Sequence, residues 1–168
     1  ALPISSRYVA IKLSYRQLRL ILFYSAHCSS MRINLRFCRL FYRAAFKEVF
    51  KEFWEQHPNV KAVIWYQYTP YFNDGEPCTF GVGELSALTQ AGYDQWKEDG
   101  GWAEEYGLSP YSDPTEEDKI TKKEVKSAYD ALNQLQKLPD DIYLDMFGDH
   151  VQIIATPSGF EVEEYSHD

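Results

Sequence analysis

The clearest pattern in the chain is a two-residue alternation that begins at Val60 and predicts a β-strand. One alternating set is Val60, Ala62, Ile64, Tyr66 and Tyr68, and the other is Lys61, Val63, Trp65, Gln67 and Thr69. Asn73-Asp74-Gly75 follows, and these residue types tolerate the positive φ angles of a tight turn. The alternation then resumes at Cys78, Phe80 and Val82. We therefore expect a β-hairpin between Val60 and Val82.

Two stretches show the i, i+3, i+4 spacing of an amphipathic helix. The first stripe is Phe46, Val49, Phe50, Phe53 and Trp54; it extends back to Phe37, and Pro58 should end it. His57 is then expected to be a cation near the helix C-terminus. The second helix should start at Thr121, because Glu124 completes a capping box with it. Its apolar stripe is Val125, Ala128, Tyr129, Leu132 and Leu135. Residues 140–147 fit either a helix or an extended connection.

A second hairpin is predicted at the end of the chain. Val151, Ile153 and Ala155 precede a Pro157-Ser158-Gly159 turn, after which Phe160, Val162 and Glu164 return. The elements together predict an α+β fold with a four-stranded, mainly antiparallel sheet built from two hairpins. The Phe46–Trp54 and Val125–Leu135 helices should pack on one face of that sheet.

Composition limits the class of protein. With 168 residues, 45% hydrophobic and 16% aromatic, the chain is long enough to bury a core without disulfides or metals. It has no apolar run of about 18 residues that would span a membrane. The three cysteines (Cys28, Cys38 and Cys78) lack zinc-ligand spacing and are interpreted as reduced thiols of a cytoplasmic protein. No cofactor or metal is predicted.

Charge is distributed unevenly within the net charge of −8. Residues 1–52 hold ten Lys or Arg and two acids, whereas the rest holds seven basic and 23 acidic residues. Residues 1–30 contain no acid and are predicted to be a basic leader or arm of doubtful structural role, with residues 31–168 as one domain. Three interpretations stay open for the leader: an organellar transit peptide, a basic arm for RNA or a partner, or sequence upstream of a natural start near Met31.

Residues 84–120 are acidic and rich in turn-forming residues, so we expect a long surface loop there. Within it, the spacing of Leu85, Leu88, Tyr93 and Trp96 indicates a short helix that Gly100-Gly101 breaks. The aromatic residues of the loop indicate partial docking onto the body, because disordered segments are poor in aromatics. The predicted binding residues are Trp102, Glu104, Glu105, Tyr106 and Tyr111. The acidic charge should repel nucleic acid phosphates and favour a protein partner.

Two polar groups are weak catalytic candidates. Asp74 and Glu76 flank the first hairpin turn, and Asp149 and His150 precede a predicted strand. If the four side chains converged, they would make an oxygen-rich metal site for a small hydrolase or nucleotide-processing enzyme. Turn chemistry explains both groups without a ligand, so we expect them to be separate. Neighbours on a strand point to opposite faces, so Asp149 and His150 should pair only if Gly148 bends the chain.

The chain from about Ala44 onward resembles small uncharacterised proteins of bacteriophage and bacterial genomes. The resemblance is carried by the string from Trp65 to Phe80, by Phe147-Gly148-Asp149-His150-Val151 and by the Glu163-Glu164-Tyr165-Ser166-His167-Asp168 tail. It implies a phage or bacterial context and assigns no functional residue. The function expected from the sequence is that of a non-enzymatic accessory or inhibitory protein that binds a protein partner through its acidic, aromatic-bearing surface. A mimic of nucleic acid is one version of this.

Overall fold

The computed structural model describes residues 35–166 apart from Asn73 and Ser112, with side chains from Ala44 onward. The predictions for residues 1–30 lie outside the described residues. The described chain divides into two units after Glu52. Helix α1 (Leu35–Gln56) confirms the first predicted helix and ends before Pro58, as expected. In its N-terminal unit Phe46, Val49 and Phe50 are buried.

The unit from Phe53 onward is built on an antiparallel sheet, and the predicted α+β class is confirmed. Its five described strands follow the order β2-β1-β4-β5, with β3 also paired to β1. They are β1 (Ala62–Tyr68), β2 (Gly81–Val82), β3 (Ser86–Leu88), β4 (Val151–Thr156) and β5 (Gly159–Glu164). The central strands β1 and β4 pair from Val63↔Ala155 to Gln67↔Val151. Strand β3 adds to the predicted four, because Leu85 and Leu88 had indicated a helix.

The two predicted hairpins have different outcomes. In the first, β2 pairs only with Gln67 and Tyr68, so a long connection replaces the tight turn, and its described residues 69–72 and 74–80 belong to no strand. Pro70 and Pro77 give the physical reason, since a proline has no N–H to donate to a strand ladder. The second hairpin is confirmed: β4 and β5 pair along their whole length and close at Thr156↔Gly159.

Four further helices follow β1: α2 (Gln90–Asp99), α3 (Ala103–Tyr106), α4 (Lys122–Leu135) and α5 (Asp140–Phe147). The predicted loop at residues 84–120 therefore contains β3, α2 and α3, which corrects that prediction. Thr121 caps α4 as predicted, because both bonds of its capping box with Glu124 are present. Residues 140–147, which the sequence left undecided, form a helix.

Helices α2, α3 and α5, which are additional to the two predicted main helices, cover both faces of the sheet. On one face Ile64, Tyr66 and Ile154 form a core cluster with Trp96 of α2 and Ala103 of α3. On the other face the Trp65 ring meets α5, at 6.2 Å from the Tyr143 ring and 5.5 Å from the Phe147 ring. A sheet covered on both faces buries all of β1 except its last residue.

Helices α2 and α3 approach each other closely at Gly92. A Cβ atom there would lie 2.7 Å from the backbone oxygen of Tyr106, so only glycine fits without a shift.

No helix of residues 35–166, as far as the structure describes them, has both the length and the apolar character needed to cross a membrane.

His57 corrects the prediction of a surface cation. It is buried, with Nδ1 3.0 Å from the Phe53 carbonyl oxygen and Nε2 3.1 Å from the Ser127 hydroxyl. Because a carbonyl oxygen only accepts, Nδ1 carries the proton and the Ser127 hydroxyl donates to Nε2. Burial lowers the pKa of His57, against the opposing effects of the Phe53 carbonyl and the Glu124 charge. His57 is therefore neutral, and its two hydrogen bonds link the end of α1 to α4.

Candidate protein-binding surface

Four of the predicted binding residues, Trp102, Glu104, Glu105 and Tyr106, belong to α3 or its N-cap. Glu104 and Glu105 occupy the first turn, where carboxylates are favoured by the free backbone N–H groups of a helix start. The fifth residue, Tyr111, follows on the loop after α3 and has 88% of its side chain exposed. We call the set Trp102, Glu104, Tyr111 and the neighbouring Glu84 the α3 surface.

Trp102 is held in a cluster of aromatic rings. Its ring centroid lies 5.0 Å from that of Tyr66 and 5.8 Å from that of Tyr165, both in edge-to-face geometry. Tyr165 also contacts Tyr66 at 4.8 Å and Tyr68 at 5.6 Å. Trp102 nevertheless keeps 44% of its surface exposed. The structure thus offers an aromatic side chain that is already fixed in orientation, which lowers the entropy cost of binding.

The backbone before Trp102 is fixed by two hydrogen bonds. The Tyr66 hydroxyl and the Trp96 indole N–H both donate to the Gly101 carbonyl oxygen, each at 3.2 Å. Gly101 has φ +100°, a left-handed conformation that favours glycine. The sequence showed Gly100-Gly101 as a break in a helix, but gave no sign that two buried aromatic residues hold it.

A cavity of about 240 Å³ opens beside Glu104, between β3, the loop after α3 and helix α4. Its walls combine apolar and aromatic groups with carboxylates: Leu85, Ala87, Leu108, Tyr111, Tyr129 and Leu132 with Glu84 and Glu104. Partial burial raises the pKa of Glu104; its own backbone N–H opposes this, and the charges of Glu84 and Glu105 add to the rise. Within the described chain, no Lys, Arg or His forms an ion pair with Glu84 or Glu104.

A β-bulge between β2 and β3 places Glu84. Val82 pairs with Gln67 and Ser86 with Ile64, so three residues from Gly83 to Leu85 oppose two residues of β1. The Gly83 N–H donates to the Tyr66 carbonyl oxygen at 2.8 Å, and a Cβ on Gly83 would lie only 3.1 Å from that oxygen. The extra residue in the bulge leaves Glu84 exposed at the edge of the cavity.

Gln136, at the C-cap of α4, holds the bulge in position. Its Oε1 accepts from the Leu85 N–H at 3.1 Å, while its Nε2 donates to the carbonyl oxygens of Val82 (3.3 Å) and Gly83 (3.0 Å). One amide side chain therefore satisfies three backbone groups that the bulge removes from the sheet ladder. The role of Gln136 could not be predicted from the sequence, because its partners lie about fifty positions away and no local pattern marks it.

The other predicted binding residues contribute less to this surface. The Tyr106 hydroxyl lies 3.4 Å from Asp99 Oδ2 and 3.3 Å from the Gly100 carbonyl oxygen, which ties α3 to the end of α2. Its ring is half-buried against the core cluster. Glu105 is exposed and acts on the site through its charge on Glu104.

The catalytic candidates Asp74 and Glu76 are exposed on the loop between β1 and β2. Among the described residues, no group of three or more His, Cys, Asp and Glu side chains could hold a metal ion. Asp74, Glu76, Asp149 and His150 therefore do not converge into the metal site that an enzyme reading required.

Asp149 has a clear structural role. Its Oδ1 accepts from the Thr69 backbone N–H at 2.8 Å and its Oδ2 accepts from the Thr69 hydroxyl at 2.7 Å. Partial burial would raise the pKa of Asp149, but the hydrogen bonds from Thr69 and the His150 N–H outweigh it and lower the pKa. Asp149 thus fastens the end of β1 to the start of β4.

His150 and Asp149 do approach each other, because both residues precede β4 and the chain bends there. Gly148 has φ +97° and His150 has φ +54°, so the alternation of an extended strand does not apply. His150 Nε2 lies 3.8 Å from Asp149 Oδ2, and the His150 ring stacks on Tyr71 at 4.9 Å. Both Asp149 oxygens already accept hydrogen bonds from Thr69, so the approach of Asp149 to His150 is explained by the turn that precedes β4.

Comparisons with protein-family models, curated proteins and solved structures found no match to this chain. The resemblance to small phage and bacterial proteins therefore stays a prediction.

Proposed function

We propose that this chain is a non-enzymatic accessory or inhibitory protein, in the phage or bacterial setting that the resemblance implies, which binds a basic segment of a partner protein through the α3 surface. One observation carries the proposal. Glu104 lines a cavity together with Glu84, desolvation raises its pKa, and no cation within the described chain is paired with either carboxylate.

The surroundings of the two carboxylates suit a lysine or arginine side chain. Such a side chain buries its aliphatic stem against apolar groups while its charged head meets an anion. Leu85 and Leu132 line the cavity for the stem, and Glu84 and Glu104 provide the negative charge. Trp102 does not line the cavity, but its exposed ring offers a second cation of the partner a face for a cation–π contact, which is strongest for tryptophan.

Charge also bears on the class of partner. The residues after position 52 carry 23 acids against seven basic residues, and this excess repels phosphate groups. We therefore propose a protein partner and no nucleic acid for the body. An enzyme alternative using Asp74, Glu76, Asp149 and His150 has no observation in its favour, because the described residues bring no such set together.

The test measures binding of a fluorescent oligo-arginine peptide to the full-length chain. The double variant Glu84→Gln/Glu104→Gln removes the two cavity charges, and Glu116→Gln/Glu117→Gln is the matched control with the same loss of charge at exposed positions. We expect the cavity variant to weaken binding about tenfold and the control to change it less than about twofold. Trp102→Leu should weaken binding, whereas Trp102→Phe should keep most of it.

Equal weakening by the two double variants would overturn the proposal, because it would show that net charge alone attracts the peptide. Thermal melting of each variant checks that it remains folded. A pull-down from bacterial lysate with the same set of variants then identifies the partner, and a specific partner should be lost with the cavity variant and retained with its control.

A further inference from the structure

Strand β5 forms one edge of the described sheet. It pairs with β4 along its whole length, and no other strand of the described chain pairs with it. The side chains from Glu161 to Glu164 are exposed, including 46% of Val162. An edge with exposed side chains is a template on which an extended segment of another chain can add a strand.

The backbone groups that face outward follow from the pairing pattern. In an antiparallel ladder, alternate residues of the edge strand bond to their neighbour and the residues between them point away. The Tyr165 N–H donates to the His150 carbonyl oxygen at 2.9 Å, so Tyr165 and every second residue before it point toward β4. Val162 and Glu164 have the opposite parity, and their N–H and C=O groups face outward.

The two faces of this edge differ in chemistry. Glu161 and Glu163 pair with Ile154 and Gln152, so they lie on the same face as the core cluster under α2 and α3. Tyr165 follows on that face, and its ring contacts Trp102 of the α3 surface. Val162 lies on the opposite face, where it pairs with Ile153. The edge therefore presents carboxylates on the face where Tyr165 contacts Trp102, and an apolar side chain on the other face.

We propose that the partner binds by adding an extended strand to the outer edge of β5, with side chains that alternate between basic and apolar. The basic side chains would meet Glu161 and Glu163, and the apolar ones would lie beside Val162, because cross-strand neighbours share a face. A second copy of β5 is disfavoured as occupant, since it would oppose carboxylates with carboxylates. This inference gives the binding mode of the proposed function and rests on it for the basic character of the partner.

Two peptide probes test the binding mode on the full-length chain. One alternates lysine and valine; the other has the same composition with lysines and valines in separate blocks. Val162→Pro removes an N–H that the β4 ladder does not use, while Val162→Thr keeps the N–H and serves as the matched control. We expect the alternating peptide to bind more tightly than the block peptide. Val162→Pro should weaken its binding about tenfold, and Val162→Thr should change it less than about twofold.

Amide hydrogen exchange on the unmodified chain gives an independent readout, should Val162→Pro fail to fold. Binding of the alternating peptide should protect the Val162 and Glu164 amides, which face outward. Equal affinity for both probes, or no added protection at these amides, would overturn strand addition. If the Glu84→Gln/Glu104→Gln variant still weakens both probes in that case, the proposed function stands without this binding mode. If neither probe binds while the oligo-arginine peptide still does, strand addition fails and the proposed function stands; if none of the three peptides binds, both proposals fail.

Discussion

Replacing Gln67 with leucine should destabilise the protein strongly, although leucine is apolar and of similar size. Gln67 is completely buried in the central strand β1. Its Nε2 donates to the carbonyl oxygens of Tyr143 and Gly148, and its Oε1 accepts from the Trp65 indole N–H at 3.2 Å. The side chain therefore joins β1 to Tyr143 inside α5 and to Gly148 just after that helix.

The size of the destabilisation follows from the buried polar groups that lose a hydrogen-bond partner in Gln67→Leu. The Trp65 N–H loses its acceptor and the Gly148 carbonyl oxygen loses a donor, at about 1–3 kcal/mol for each group, while the Tyr143 carbonyl oxygen lies inside α5 and keeps its helical hydrogen bond. Burial of the leucine side chain returns about 1.5–3 kcal/mol. The expected net loss is about 2 kcal/mol, which lowers Tm by about 4–8 °C in a chain of this length.

Gln152 on strand β4 is the matched control. Its Nε2 is buried and has no hydrogen-bond partner in the described part of the chain. Gln152→Leu removes a polar group without breaking a bond, so it should leave stability unchanged or raise it by up to about 1 kcal/mol. Differential scanning calorimetry of both variants checks the pair. The reasoning is wrong if Gln67→Leu melts within about 2 °C of the unmodified protein, or if both variants lose the same stability.

Two further predictions concern α4 and His57. Thr121→Ala removes the capping box with Glu124 and should cost about 1 kcal/mol in urea unfolding, whereas Thr121→Ser should cost little; equal losses would show that the hydroxyl contributes nothing. Burial lowers the pKa of His57 below 6.5. As the pH falls below that value, the unfolded chain takes up the proton first, so the free energy of unfolding decreases. Above that value both states are neutral at His57, and its full contribution to stability is present. His57→Gln should flatten this slope in urea titrations, and an unchanged slope would contradict a buried neutral histidine.

Elements that depend on neighbouring residues could be predicted from the sequence. The Thr121 and Glu124 pair lies within one helical turn, so its capping box is readable without knowing what α4 packs against. The β4–β5 hairpin likewise needs only a two-residue turn before Gly159, whose φ of +141° suits glycine. The end of α1 before Pro58 follows from a local clash.

Strand β3 could not be predicted, because Ser86–Leu88 is too short to show a two-residue period. It is a strand because the edge of β1 supplies partners for its backbone hydrogen bonds. The pairing extends one residue before β1, where the Lys61 N–H donates to the Leu88 carbonyl oxygen at 2.7 Å. The burial of Gln67 has the same origin. A polar residue in an alternating pattern predicts a solvent-facing side, and only α5 packing on that side makes it a core position.

For the binding surface, the residue types of the segment around α3 can be read from the sequence: an excess of acids with Trp102 and Tyr111 among them. The sequence also predicts that Asp149 and His150 approach each other only if Gly148 bends the chain, and the chain does bend there. The placement of Glu84 in the same cavity as Glu104 depends on the folded structure. Those two residues are brought together by a bulge in the sheet and by a side chain of α4, and contacts between distant parts of a chain leave no local pattern.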